Sequence, residues 1–493
     1  MTQPFPKEST RQAIIEALPE IDPAILSPST NVAYTYVPPS HARALDPEST
    51  LVEGIRGAGK SFWWMTLASE PHRKYIASVF PEARIGENVE MSQGFGTGQG
   101  LLPTQVPSPD TLAQLAESFP PRHIWRAVVA VHLGFLSPFP SDGKWAEKVL
   151  WVQNHPEEYD GLLYHADSTL ASAGKVRLIL FDALDRLAGD WPGIRLLAKG
   201  LMQVALDLRS CRSIRAKLFV RPDMLEDREI LAFPDASKLL ARKVPLFWRR
   251  MDLYALLFQC LGNASSGGAE FRHHCEVFQL HWKEDRESGA WIVPQSLRTE
   301  EEMQKKIFHA IAGPAMASGP SGHKRGFPYT WLVNHLMDGR EEVSPRSFSA
   351  ALRYAAQRES PEEWLYPLHY KAIQSGVQEA SRIRVEEIAR EDYPWVTLLM
   401  QPLKNRITVP CEAEEILELW RQEDIISTLA NLTSVVGKVK LPPQHLAEGP
   451  EGVLQDIAEL GLIQRLRNGR IQMPDVYRIA FGLGRRGGVK PLK

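Results

Sequence analysis

Between a short apolar run and an amphipathic stretch, the chain reads Gly54-Ile55-Arg56-Gly57-Ala58-Gly59-Lys60-Ser61. This is the phosphate-loop pattern G-x-x-x-x-G-K-[ST], which calls for a strand before it, a tight loop, and a helix after it. Glycines at 54, 57 and 59, with the small Ala58 among them, let the backbone curl until successive N–H groups face an anion. The positive end of the following helix points the same way. Lys60 then reaches the β- and γ-phosphates, and the Ser61 hydroxyl is placed to ligate Mg²⁺. In the helix that follows, Phe62 to Ser69, the bulky Phe62, Trp63, Trp64 and Met65 are expected to be core contacts rather than a stacking platform.

A second element strengthens the reading. Val176-Arg177-Leu178-Ile179-Leu180-Phe181-Asp182 is an apolar run that ends in a carboxylate, the pattern of a buried parallel strand. In open α/β sheets ligands sit outside the C-terminal edge of the strands, so Asp182 is expected to meet the loop there and to hold Mg²⁺ through water.

Phe181-Asp182-Ala183-Leu184-Asp185-Arg186 resembles the "I-D-D-L-D-R" Walker B segment of KAP-type P-loop NTPases, and more broadly the STAND and AAA+-like ATPases of the additional-strand class. The likeness spans roughly residues 40 to 360. It implies ATP and Mg²⁺ as ligands. Ala183 stands where many relatives carry the acid that polarises the attacking water, which leaves that task to Asp185 or to another group. Ala216 to Asp223 is a further apolar strand with a polar end, where the resemblance implies a sensor-1 position and Arg221 reading the γ-phosphate. Pairing of Arg221 with Asp223 or Asp185 is the alternative. Val343-Ser344-Pro345-Arg346-Ser347 looks like a helix start, with Ser344 as cap and Pro345 at the first helical position. There the resemblance implies Arg346 as sensor 2.

Three functions follow as expectations. One is an ATP-binding, ATP-hydrolysing molecular switch that couples nucleotide state to a protein partner or to homo-oligomerisation, in bacterial antiphage defence or signalling. The second is a DNA-engaging AAA+-like initiator or loader. The third is a nucleotide-binding scaffold with little turnover, which Ala183 would permit. ATP rather than GTP is implied by the resemblance alone.

The 493 residues, 44 % hydrophobic and 24 % charged, suit a large soluble protein of two to four domains. A net charge of −2 gives no overall reason to bind nucleic acid or an anionic membrane. Cysteines 211, 260, 275 and 411 show no C-x-x-C spacing, and no apolar stretch is long enough to span a bilayer, so the cytoplasm is the expected compartment. His273-His274-Cys275 lacks a second cluster and is read as solvent-facing rather than metal-binding.

The fold class expected is α/β: a P-loop NTPase parallel sheet with a helical insertion, then an all-helical lid and a C-terminal winged-helix-like module. Residues 1–40 read as an arm with one helix at Arg11 to Leu18. The core is expected over 41–250, with the insertion at about 82–170, a strand at Tyr75 to Phe80, a long mobile loop at Gly86 to Pro109, a helix at Ile194 to Leu208 and a last strand at Val244 to Trp248. From Met251 strand signals nearly vanish. The lid is expected over 251–360 and a further helical domain over 361–435, with Glu386-Glu387 and Glu412-Glu414-Glu415 on solvated faces. Over 436–493, a helix at Gly452 to Leu460 precedes strands at Leu462 to Arg467 and Arg470 to Met473. Asn468-Gly469, a strong hairpin signal, joins the two strands. From Gly461 onward six Arg and two Lys face one Asp. Arg465, Arg467, Arg470, Arg485, Arg486, Lys490 and Lys493 are the candidates for nucleic-acid phosphates, with protein docking as the alternative.

Overall fold

The computed structural model describes residues 3–18, 31–98, 100–319, 321–434, 439, 441–486 and 489–491. The chain divides into two compact units, one built on residues 37–247 and the other on residues 248 onward together with 31–36 and the N-terminal helix.

The first unit is organised by a five-stranded sheet in the order β2-β3-β4-β1-β5, with every neighbouring pair parallel. The strands are β1 (Leu51–Glu53), β2 (Val89–Phe95), β3 (Val176–Phe181), β4 (Ile214–Val220) and β5 (Val244–Pro245). Parallel strands covered on both faces read as unbroken apolar runs. Accordingly Leu178 to Phe181 and Leu218 to Val220 are buried throughout. Lys217, also buried in β4, interrupts that pattern and is satisfied by the carbonyls of Ala44, Asp46 and Ser49. β4 lies between the strand that precedes the phosphate loop and the strand that ends at Asp182. This is the extra strand that the resemblance implied. Phe181 pairs with Leu218 and Leu218 with Leu51, so the C-terminal ends of β3, β4 and β1 open onto one edge.

Two expectations in this unit are corrected. Residues 70–79 form a helix, Glu70–Val79, rather than a strand. Pro71 sits in its first turn, and His72, Tyr75 and Ile76 are buried at helical spacing. The missing strand is β2, inside the segment expected as a mobile loop. Glu90, Ser92 and Gln93 are only half-buried on this edge strand, which hides its periodicity. The glycines at the end of β2 and just beyond it have a packing purpose. A β-carbon on Gly94 would lie 2.6 Å from the Phe181 ring, and one on Gly96 would lie 2.4 Å from the Trp64 ring. Gln99 lies outside the described residues.

Between β2 and β3 run four helices, Pro109–Ser118, Pro121–His132, Trp145–Asn154 and Pro156–Ser172. The second crosses the long helix Trp191–Asp207 at Gly200, where a β-carbon would meet Pro121 at 2.6 Å. Trp125 locks the crossing by donating to the Leu197 carbonyl at 2.8 Å, and its ring lies edge-on to Phe95 and Phe181.

The second unit is mostly helical. Its core is centred on Tyr254 of helix Arg250–Gly262, stacked on Tyr329 at 4.2 Å and edge-on to Phe308 and Phe348. Helix Pro345–Gln357 crosses helix Tyr370–Glu386 at Gly376, where a β-carbon would lie 2.1 Å from the Ala351 carbonyl oxygen. The arm's helix runs Lys7–Ala17 and packs into this unit, Phe5 N–H donating to the Ala310 carbonyl and Arg11 to that of Ala356. Residues 19–30 of the expected arm are outside the described set. Strands have not vanished entirely: Lys283–Glu284 pairs with Trp291–Ile292, and Thr408–Val409 with Gly484–Arg485. Glu387 is buried rather than solvated, because it faces Arg346 and Arg384. Near the C-terminus, helix Pro450–Glu459 is followed by the hairpin Gln464–Arg465 and Ile471–Gln472, turned at Asn468-Gly469 with Gly469 at φ 83°. A further helix, Asp475–Phe481, was not expected. Among the described residues no helix is long and apolar enough to cross a membrane.

Candidate nucleotide site

The loop after β1 begins where the Gly54 N–H donates to the Val220 carbonyl at 3.1 Å, tying the loop to the end of β4. A β-carbon at Gly54 would stand 3.2 Å from that of Ala58, so a side chain there would require its neighbours to give way slightly. Gly57 at φ 77° and Gly59 at φ 103° supply the left-handed turns, and Gly59 opens helix Lys60–Ala68. Of the four bulky residues expected as core contacts, Trp63 and Trp64 are buried, while Phe62 and Met65 are only half-buried. Trp64 Nε1 donates to the Leu180 carbonyl at 3.4 Å, which seats the helix on β3 two residues from Asp182. Trp63 Nε1 donates to His41 Nδ1 at 3.1 Å. Burial pushes the His41 imidazole down to about 3, keeping it a neutral acceptor.

Lys60 folds back over its own loop, its ammonium donating to the carbonyls of Gly54 at 2.6 Å and Ile55 at 3.0 Å. Burial lowers its pKa to about 8, opposed in part by the charge of Asp182. Asp182 is 2 % exposed. Burial raises its pKa, while the Ser61 hydroxyl and the Ala183 N–H donate to the carboxylate and favour its charged form. A serine hydroxyl against a carboxylate is a hard oxygen donor set, which fits Mg²⁺.

Ala183 adopts φ 54°, ψ 40°, a left-handed conformation unusual for alanine. The chain then enters the 3₁₀ turn Leu184–Arg186, which carries Asp185. From the end of β4, Arg221 Nε donates to Asp223 at 3.0 Å, and its Nη1 lies 3.5 Å from Asp185. Lys60 lies within electrostatic reach of Asp182, Arg221, Asp185 and Asp223. The sequence candidates Gly54, Gly57, Ala58, Gly59, Lys60, Ser61, Asp182, Asp185 and Arg221 therefore gather at one edge of the sheet. Arg346 belongs to the other unit. It stands in the first turn of a helix capped by Ser344, as expected, and its guanidinium pairs with Glu387 at 2.7 Å. From the sequence, Asp223 is only an alternative partner for Arg221, and no motif marks His41.

The basic C-terminal segment is less available than its composition suggests. Arg465, Arg467, Arg485, Arg486 and Lys490 are exposed. Arg470 donates to the Pro410 carbonyl, and Arg485 pairs with Asp475 at 3.1 Å. Arg478 is wholly buried, paired with Asp475 and bonded to the carbonyls of Leu483 and Val489. Lys493 lies outside the described residues. In the His273-His274-Cys275 segment His273 is exposed, but Cys275 is buried, with its thiol pushed up to about 12.

No family model matches the chain, and no curated protein matches it. Among solved structures it is similar to the ORC2 protein of Aeropyrum pernix, at 12 % identity over 90 % of this chain and 93 % of that one, with a TM-score of 0.40. It is also similar to a Walker-type ATPase of Pyrococcus abyssi, at 13 % identity over 90 % and 97 %, with a TM-score of 0.36. A third is the ORC1 protein of Aeropyrum pernix in complex with DNA, at 15 % identity over 94 % and 93 %, with a TM-score of 0.32.

Proposed function

We propose that this protein is an ATP-binding, ATP-hydrolysing molecular switch whose nucleotide state governs association with a protein partner or with further copies of itself. The observation that carries the reading is the placing of the Lys60 ammonium and the Ser61–Asp182 pair together at the C-terminal edge of a parallel sheet. Lys60 leaves its loop carbonyls for the triphosphate oxygens, and the loop N–H groups orient the phosphates. Ser61 and Asp182 hold Mg²⁺, which when bound neutralises charge on the phosphates. Asp185 orients the water whose oxygen bonds to the γ-phosphorus. The bond to the β,γ-bridging oxygen breaks with its electrons retained by ADP, and the proton of the water leaves to solvent. Because Ala183 supplies no acid, turnover is slow unless a partner contributes a group. A KAP or STAND subclass and a role in antiphage defence or signalling are the finer form of this reading.

A second reading, a DNA-engaging initiator or loader, is favoured by the exposed Arg465 and Arg467 on the hairpin arm that leads into the Asn468-Gly469 turn. Steady-state ATP hydrolysis with and without duplex DNA, beside Lys60→Ala, separates the two. Lys60-dependent turnover indifferent to DNA supports the switch, and stimulation by DNA supports the initiator. Turnover unchanged in Lys60→Ala would sink both.

A further inference from the structure

Two carboxylates share one guanidinium at the edge of the sheet. Arg221 is anchored at its Nε by Asp223 at 3.0 Å and held more loosely at Nη1 by Asp185 at 3.5 Å. The three side chains are largely shielded, with 10 %, 18 % and 20 % exposure for Arg221, Asp223 and Asp185, so their charges act on one another with little screening. The Lys60 ammonium is close enough to feel all three. The residue best placed to orient water is therefore engaged by a cationic neighbour.

We infer that Arg221 is a latch on Asp185 that the γ-phosphate displaces, and that Asp223 is the positioning residue on which the latch turns. A γ-phosphate carries more negative charge than one carboxylate and is rich in acceptor oxygens, so it competes for the loosely held Nη end. Its arrival draws Arg221 from Asp185 and frees that carboxylate for water. ADP, which lacks the γ-phosphate, leaves the latch closed. The inference rests on the nucleotide reading above and adds to it a reason for the site to distinguish ATP from ADP.

The experiment measures affinity for ADP and for a non-hydrolysable ATP analogue in wild-type, Asp185→Asn, Arg221→Gln and the double variant, each checked for unchanged thermal unfolding. Releasing the latch in Asp185→Asn is expected to tighten the ATP analogue about fivefold, the scale of one partly exposed ion pair. ADP affinity should stay within about twofold. In the Arg221→Gln background the same substitution should change neither. Asp223→Asn should raise KM for ATP while ADP affinity holds, and a purely structural role would weaken both nucleotides together. Lys60-dependent binding with equal effects of Asp185→Asn on ATP analogue and ADP would overturn the latch alone. Absence of ATP binding by the wild-type protein would overturn the nucleotide reading with it.

Discussion

The indole of Trp64 occupies the space where a side chain on Gly96 would begin, 2.4 Å from an added β-carbon. Gly96→Ala is therefore expected to push the ring off the Leu180 carbonyl and to destabilise the sheet unit by about 1–3 kcal/mol. Adding Trp64→Leu should recover part of that loss. Thermal melts of the two single variants and the double variant check it, and strictly additive losses would refute the clash.

Nucleotide affinity should depend on pH through Lys60. Burial lowers its pKa to about 8 before nucleotide binds, so the ammonium that must meet the phosphates is lost as pH rises through that value. ATP affinity is expected to fall above that pH, by at most about tenfold per pH unit. Lys60→Ala should bind weakly and show a flat profile. Calorimetric titrations from about pH 7 to about pH 9.5 span this loss of charge and lie above the ordinary range of histidine. A slope that persists in Lys60→Ala would expose a mistaken assignment.

The sheet of this protein was unevenly legible from sequence. β3 and β4 stand out because Leu178 to Phe181 and Leu218 to Val220 are apolar runs that end in polar residues, although Arg177, Arg215 and Lys217 precede them in the strands. β2 does not, since an edge strand bearing Glu90, Ser92 and Gln93 resembles a loop until its neighbour is known. Tyr75 to Phe80 misleads in the opposite way: aromatic and β-branched residues suggest a strand, yet the buried positions recur at helical spacing. In the site, motif spacing locates Lys60, Ser61 and Asp182. The sequence already offers Asp223 and Asp185 as alternative partners of Arg221, but that Arg221 holds both at once needed the sheet to bring the ends of β3 and β4 together. No local pattern marks His41, because its partner Trp63 lies beyond the phosphate loop.

Acid should weaken the fold through His41. Its pKa is about 3 when folded against about 6.5 when unfolded, so between those values the unfolded chain binds the extra proton. The stabilisation is fully present above about pH 6.5 and falls on acidification through that window, by at most about 1.4 kcal/mol per pH unit from this group. Denaturant unfolding at about pH 7 and about pH 5, on either side of the histidine range, should show a smaller acid loss for His41→Asn than for wild type. Equal losses would mean that another group sets the acid limit.

If the hairpin engages duplex DNA, Arg465→Gln with Arg467→Gln should weaken binding and reduce the salt slope by about 2, near one for each phosphate no longer neutralised. Affinity measured across a salt series decides it. An unchanged slope would assign these arginines to another surface role.

The second unit is assembled from chain made before the sheet unit and chain made after it. Glu16 caps the backbone N–H groups of Ser265 and Ser266, and the Leu18 carbonyl accepts from Arg353 at 2.6 Å. During synthesis the helix Lys7–Ala17 thus emerges with Ala13, Ile14 and Ala17 bare, and its partners do not exist until all of residues 37–247 have been translated. Connectivity alone imposes an order on biogenesis: the sheet unit is complete on the ribosome first, and the helix that preceded it must be kept from other apolar surfaces until the rest of its own unit arrives.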